Sequence, residues 1–284
     1  MSHNVYSNTW ARLTPRLDRN LSVHPSADDL YSNRIFSSWA STVWATNRTG
    51  PYSIATGNVA AWLSFPVISD RWELIASELE SQNHSEYLPL GTHPTVAAGY
   101  RAQMLSYASA LRGNLTAFYN HVLSGSSTSG IVVDLHPLSR GTVTIDLTDP
   151  YNRPPKVDYR ALSNPLDAKI MADILRFTRR YYLNNTLTAA YIPQESRPGL
   201  RVNTDEELIS FIKDTMSPSE FHPAGTCAML PRELGGVVDE ELRVYGVTGL
   251  RVVDASIMPT LPGANTCQAV YAIAEKVRAP LGRQ

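Results

Sequence analysis

No two glycines in the 284 residues are separated by a single residue, so the chain has no Gly-x-Gly turn of the kind that seats a dinucleotide pyrophosphate. Cysteine is scarce as well: Cys227 and Cys267 are the only two. A small secreted disulfide framework uses more, and no C-x-x-C pattern marks a metal site. Both read as small buried fillers carrying free thiols. No run of like charge occurs and the net charge is -1, which argues against a nucleic-acid partner. No apolar run approaches the roughly 20 residues that a membrane span needs. The longest, around Val59 to Ile68, is broken by Ser64 and Pro66. The N-terminus has no basic-then-apolar leader pattern, and Leu281-Gly282-Arg283-Gln284 is not a targeting tripeptide. The Gly/Ser loop from Gly125 to Gly130 is not the Gly-x-Ser-x-Gly elbow of a serine hydrolase.

What the chain does have is a series of start and stop signals, over a length that suggests two domains. Residues 1–24 read as polar and irregular. Ser26 and Asp29 make a capping-box pattern for a helix to about Trp44, which Arg48-Thr49-Gly50-Pro51 ends. Asn58 to Phe65 reads as an apolar strand. Helices are expected from Ser69 or Asp70 and from Pro94 to Arg112. Ile131–Leu135 and Thr142–Leu147 read as a strand pair, joined by a turn over residues 136–141 that includes His136. Asp149 to Pro155 is a proline-rich turn and Val157 to Tyr159 a short strand. Asn164-Pro165-Leu166-Asp167 supplies a cap, a proline and a first-turn acid for another helix. Ile170, Ile174, Phe177 and Tyr181 fall on its inner face. Arg176, Arg179 and Arg180 read as a solvated basic helix end, with an anion site as the alternative. Thr204 and Glu207 make a second capping box, for a helix to Lys213.

The chemistry concentrates between Phe221 and Thr266. Phe221-His222-Pro223-Ala224-Gly225-Thr226-Cys227 comes first. Leu250 to Asp254 then reads as a strand that ends on a carboxylate, followed by the small pair Ala255-Ser256. A last helix starts at Asn265 or Thr266, with Asn265 and Gln268 as a capping box. Its expected buried face is Ala269, Val270, Ala272, Ile273, Ala274 and Val277. An imidazole near pH 7 can accept a proton, and an Asn amide can hold an oxygen without adding charge.

Three pieces in this order and spacing resemble the C-terminal end of the glucose-methanol-choline (GMC) family of flavin oxidoreductases. They are His-x-x-Gly-Thr-Cys from His222, Gly-Leu-Arg-Val-Val-Asp-Ala-Ser from Gly249, and the Asn265 before the last helix. Arg48-Thr49-Gly50-Pro51 and the turn at residues 136–141 resemble the family too. The resemblance implies an α+β fold. Residues 1–215 would be a GMC-type substrate-binding domain, a mainly antiparallel sheet with helices. Residues 216–284 would be the C-terminal segment of the FAD-binding domain, and the N-terminal dinucleotide-binding part is expected to be absent from this chain.

The resemblance further implies FAD as cofactor and a small-molecule alcohol as substrate, with no metal, nucleic acid or membrane. Oligomeric state is not legible. By resemblance His222 is the catalytic base and Asn265 its partner, while Asp254, Ala255 and Thr266 lie on the flavin side. A strand-end role for Asp254, capping local amides, is the alternative. The glucose-oxidising members have an Arg four residues before the first His and a second His at the Asn position. Pro218 and Asn265 stand there, which points away from a sugar. Phe221 suits an apolar or aromatic alcohol, or packs in the core. Two other outcomes stay open: a non-catalytic truncated fragment, and a GMC-fold enzyme of fungal secondary metabolism that performs a non-redox cyclisation or dehydration. Sequons at Asn20, Asn47, Asn83, Asn114 and Asn184 imply a secretory or extracellular location for the full-length parent.

Overall fold

The structure, a computed structural model, describes residues 5–7, 11–13, 15–19, 29–54, 59–123, 130–189 and 193–281. Among them the strands are β1 (Val5–Ser7), β2 (Ala11–Leu13), β3 (Arg16–Arg19), β4 (Val59–Ser64), β5 (Ala117–Leu123), β6 (Ile131–Asp134), β7 (Gly141–Thr144), β8 (Lys156–Asp158) and β9 (Pro193–Arg197). They form three sheets, ordered β1-β7-β8, β2-β6-β5-β4 and β3-β9, and every pairing is antiparallel. The helices are α1 (Asp29–Ser32), α2 (Arg34–Asn47), α3 (Phe65–Ile68), α4 (Trp72–Ser81), α5 (Pro94–Arg112), α6 (Leu166–Leu183), α7 (Thr186–Ala189), α8 (Asp205–Thr215) and α9 (Thr266–Leu281). This is the α+β architecture expected, with the antiparallel pairing spread over three small sheets.

The main core lies between the four-stranded sheet and α3, α4, α5, α6 and α8. Phe65, Leu79, Met104, Phe118, Leu166 and Ile212 are all fully buried in it. A second cluster joins the sheet to the C-terminal residues: Val133 and Leu135 pack with Ala224, Met258 and Leu261, and with Ala269, Val270 and Ile273 of α9. It spans the expected boundary at 215/216. Arg12 and Ser217 also exchange backbone hydrogen bonds across that boundary, of 3.1 and 2.9 Å.

Several elements differ from the sequence reading. Residues 1–24 contain β1, β2 and β3, whose partners lie more than a hundred residues away in sequence, so no local pattern announces them. The first helix is broken at Asn33, whose side chain accepts from the Ile35 and Phe36 amides and caps α2. Ser26, and the Gly125–Gly130 loop up to residue 129, lie outside the described residues. The strands β6 and β7 do not pair with each other; they belong to different sheets. The segment between them is no surface turn but a buried crossing. Asp167 of α6 accepts from the Leu138 and Ser139 amides at 2.6 and 2.9 Å, and the buried Arg140 guanidinium donates to Pro137 and Leu138 carbonyls. With its backbone satisfied by α6, the crossing needs no hairpin partner.

On α6, Ile170 and Ile174 are buried as expected, but Tyr181 is exposed and Tyr182 takes the inner position, at 2.8 Å from His121 Nε2. Of the three arginines only Arg180 is exposed, as a solvated end requires; Arg176 and Arg179 are drawn into ion pairs. Arg179 is buried against Glu195 at 2.7 Å, Arg176 pairs Asp205 at 2.6 Å, and Arg180 donates to the Ile68 carbonyl and lies over Phe177. The capping box of α8 forms as read: Glu207 N donates to Thr204 Oγ1, and Thr204 N to Glu207 Oε2.

Candidate active site

The three motif pieces meet. Residues 225–229 run beside 255–257, with Gly225 N, Cys227 N and Met229 N donating to the carbonyls of Ala255, Ser256 and Ile257 at 3.4, 2.8 and 2.8 Å. Gly225 has φ +88, and a Cβ there would sit 3.1 Å from the Met258 carbonyl, so the turn that follows His222 requires glycine. Leu261 is buried in the second cluster and anchors the loop that leads to α9.

His222 is half-buried, and its Nδ1 lies 2.8 Å from Thr266 Oγ1, at the first residue of α9. Burial lowers the imidazole pKa from its ordinary value, while the negative charge of Glu220 works to raise it. The ring is therefore neutral at pH 7, as a proton acceptor must be. The helix end contributes a partial positive charge beside it.

The expectation has Thr266 on the flavin side and Asn265 as the partner of His222. The hydrogen-bond partner of Nδ1 is the Thr266 hydroxyl, and Asn265 is the exposed residue just before it. Among the described residues the side chains of Asn265 and Gln268 make no hydrogen bond, so the expected capping box does not form and the Asn265 amide faces solvent.

Asp254 is exposed and its Oδ1 accepts from Ser256 N at 2.8 Å, which caps the turn at Ala255–Ile257. The expected strand at Leu250–Asp254 is reduced to a bridge between Arg243 and Arg251, because no other strand lies alongside it among the described residues. Ala255 is half-buried against the second cluster. Phe221 is 80 % exposed at φ +61, so it is no core residue. Its amide donates to Ser219 Oγ at 3.0 Å, which stabilises that left-handed turn. Cys227 is half-buried and Cys267 exposed, both as free thiols, so Cys267 is not the buried filler expected. On α9, Ala272 and Ala274 are exposed; Ala269, Val270, Ile273 and Val277 make the packed face.

Sequence reading missed Glu220. It pairs with Arg12 of β2 at 3.0 Å, two residues before His222. Its place next to the candidate base was the available signal; its partner, more than two hundred residues earlier, had none.

Residues 137–274 match the family described as GMC oxidoreductase, through its C-terminal domain. The dehydrogenase xptC of Emericella nidulans is 35% identical over 203 residues, covering 71% of this chain and 32% of that protein. Among solved structures, an FAD-dependent oxidoreductase from Chaetomium thermophilum superposes with a TM-score of 0.92 at 29% identity, over 99% of this chain and 48% of that one. A fungal aryl-alcohol oxidase gives 0.89 at 32% identity, over 95% and 46%. An α+β chain with a His-bearing loop docked on a helix N-terminus is thus of the flavin-oxidoreductase class. The chain belongs to the GMC oxidoreductases. It spans about a third of the length of the curated relative above and about half of the two solved chains.

Proposed function

We propose that this chain supplies the base-bearing part of an FAD-dependent oxidation of a primary or secondary alcohol, apolar or aromatic in type. The observation that carries the reading is the half-buried His222, its pKa lowered by burial, held by Thr266 at the head of α9. The fit of the residues to FAD is at its ring end. The chemistry of the set is a neutral imidazole, a hydroxyl and a helix N-terminus, which suits an electron-rich ring system. Ala255, small and half-buried beside the Gly225 turn, leaves room for a flat group, with Asp254 just before it in sequence and Thr266 at the head of α9. FAD, when bound, supplies the acceptor for the carbinol hydride. His222 takes the hydroxyl proton at Nε2, in the tautomer whose Nδ1–H donates to Thr266 Oγ1. Thr266 orients the ring, and Asn265 holds the substrate oxygen without adding charge. Phe221, exposed beside the base, presents an aromatic face to the substrate. The likeness to an aryl-alcohol oxidase supports this choice of alcohol.

The test is stopped-flow reduction by an aryl alcohol of a version extended to full length with a dinucleotide-binding part and loaded with FAD. His222→Ala is expected to slow the reduction by about 10²- to 10⁴-fold with flavin content unchanged. Reduction at the parent rate would sink the assignment.

A further inference from the structure

The loop that presents Asn265 and Thr266 is held from behind by one side chain of α5. Gln103 Nε2 donates to the Pro259 carbonyl at 3.0 Å. Its other end is fixed as well: Gln103 Oε1 accepts from Arg140 Nη2 at 3.0 Å. Arg140 is buried and cannot drift, since its Nη1 donates to the carbonyls of Pro137, Leu138 and Ser139 at 2.9, 3.1 and 3.1 Å. Gln103 thus ties α5 to the stretch that begins at Pro259.

We propose that Gln103 is a positioning residue for the candidate base. It ties the buried Arg140 crossing to Pro259, and so sets where Thr266 stands when it meets His222. The amide is matched to the task, since its oxygen accepts from a guanidinium while its NH2 donates to a carbonyl. The importance of the residue rests on His222 being the base; the geometry it controls does not.

The experiment reads the imidazole nitrogen shifts of His222 by NMR in the 284-residue chain, assigned against His222→Gln. Neither flavin nor alcohol takes part, so the alcohol-oxidation reading can fail while this one stands. The reference for a lost contact is Thr266→Val. Gln103→Met, close in size but without either hydrogen bond, is expected to move the His222 Nδ1 signal at least a third of the way towards that reference. Gln103→Glu keeps the acceptor for Arg140 and removes only the donor to Pro259, so it is expected to move the signal in the same sense while melting cooperatively. His222 signals that coincide with the parent's in either folded variant would overturn the proposal. So would a failure of both variants to fold, which would make Gln103 a support of the fold at large.

Discussion

His136 lies in the core between the rings of Tyr107 and Phe118, at centroid distances of 5.3 and 5.0 Å, and neither ring nitrogen has a hydrogen bond among the described residues. Burial, helped by the charge of Arg140, lowers its pKa from 6.5 to about 4; the backbone of Ala117 works against that. The folded protein refuses a proton that the unfolded chain binds. The group therefore favours the fold fully above pH 6.5, and that contribution is lost as pH falls through 6.5 towards 4. The loss between pH 7 and pH 5 is on the order of 2 kcal/mol. The buried carboxyls of Asp134 and Asp167 have pKa values raised by burial and slope the opposite way, so the total curve mixes both. His136→Phe isolates the imidazole. Its urea midpoint is expected to fall less between pH 7 and 5 than the parent's, by about that amount in free energy; parallel pH curves would refute a buried neutral His136.

At the scale of elements, α5 is the piece on which the C-terminal residues rest, and Gly99 is where they come closest. A Cβ at Gly99 would overlap the carbonyl oxygen of Leu234. Gly99→Ala must push the turn at Arg232–Leu234 off the helix and is expected to cost about 1–3 kcal/mol in chemical denaturation. Gly113, after the end of α5, is the control: its nearest neighbour would be the Ala110 carbonyl at 3.6 Å, and its φ is -98. Gly113→Ala is expected to be neutral or to stabilise by up to about 1 kcal/mol. A Gly99→Ala loss no larger than that of Gly113→Ala would refute the close approach at Gly99 as the deciding contact. The bounds of α5 were legible because Pro94 and a 3.6-residue apolar period are both local signals. The break of α2 at Asn33 was not, since Asn in a helical pattern serves as cap or interior residue according to its surroundings.

Over the whole molecule, Phe221, Val247, Leu250 and Tyr271 leave apolar surface exposed in the C-terminal residues. The 284 residues contain no Gly-x-Gly, and most FAD affinity in dinucleotide-binding folds comes from such a turn on the pyrophosphate. Expressed with added FAD and desalted, these residues alone are expected to retain well under one flavin per chain in the visible spectrum. A stoichiometric flavin band would reveal a pyrophosphate site built in some other way. The chain order of His222, Gly225, Ala255 and Asn265 and the capping box of α8 were readable from residues 1 to 284, because each rests on short-range spacing; the α+β class followed from the family resemblance that those motifs carry. Tertiary structure alone decided the rest. It separated β6 from β7, since the buried crossing between them is satisfied by Asp167. It supplied partners for β1, β2 and β3 from distant strands. It set Thr266 against His222 and left Asn265 open to solvent, because the direction in which a helix presents its first residues depends on what the helix packs against, and α9 packs on Val133 and Leu135, more than a hundred residues away.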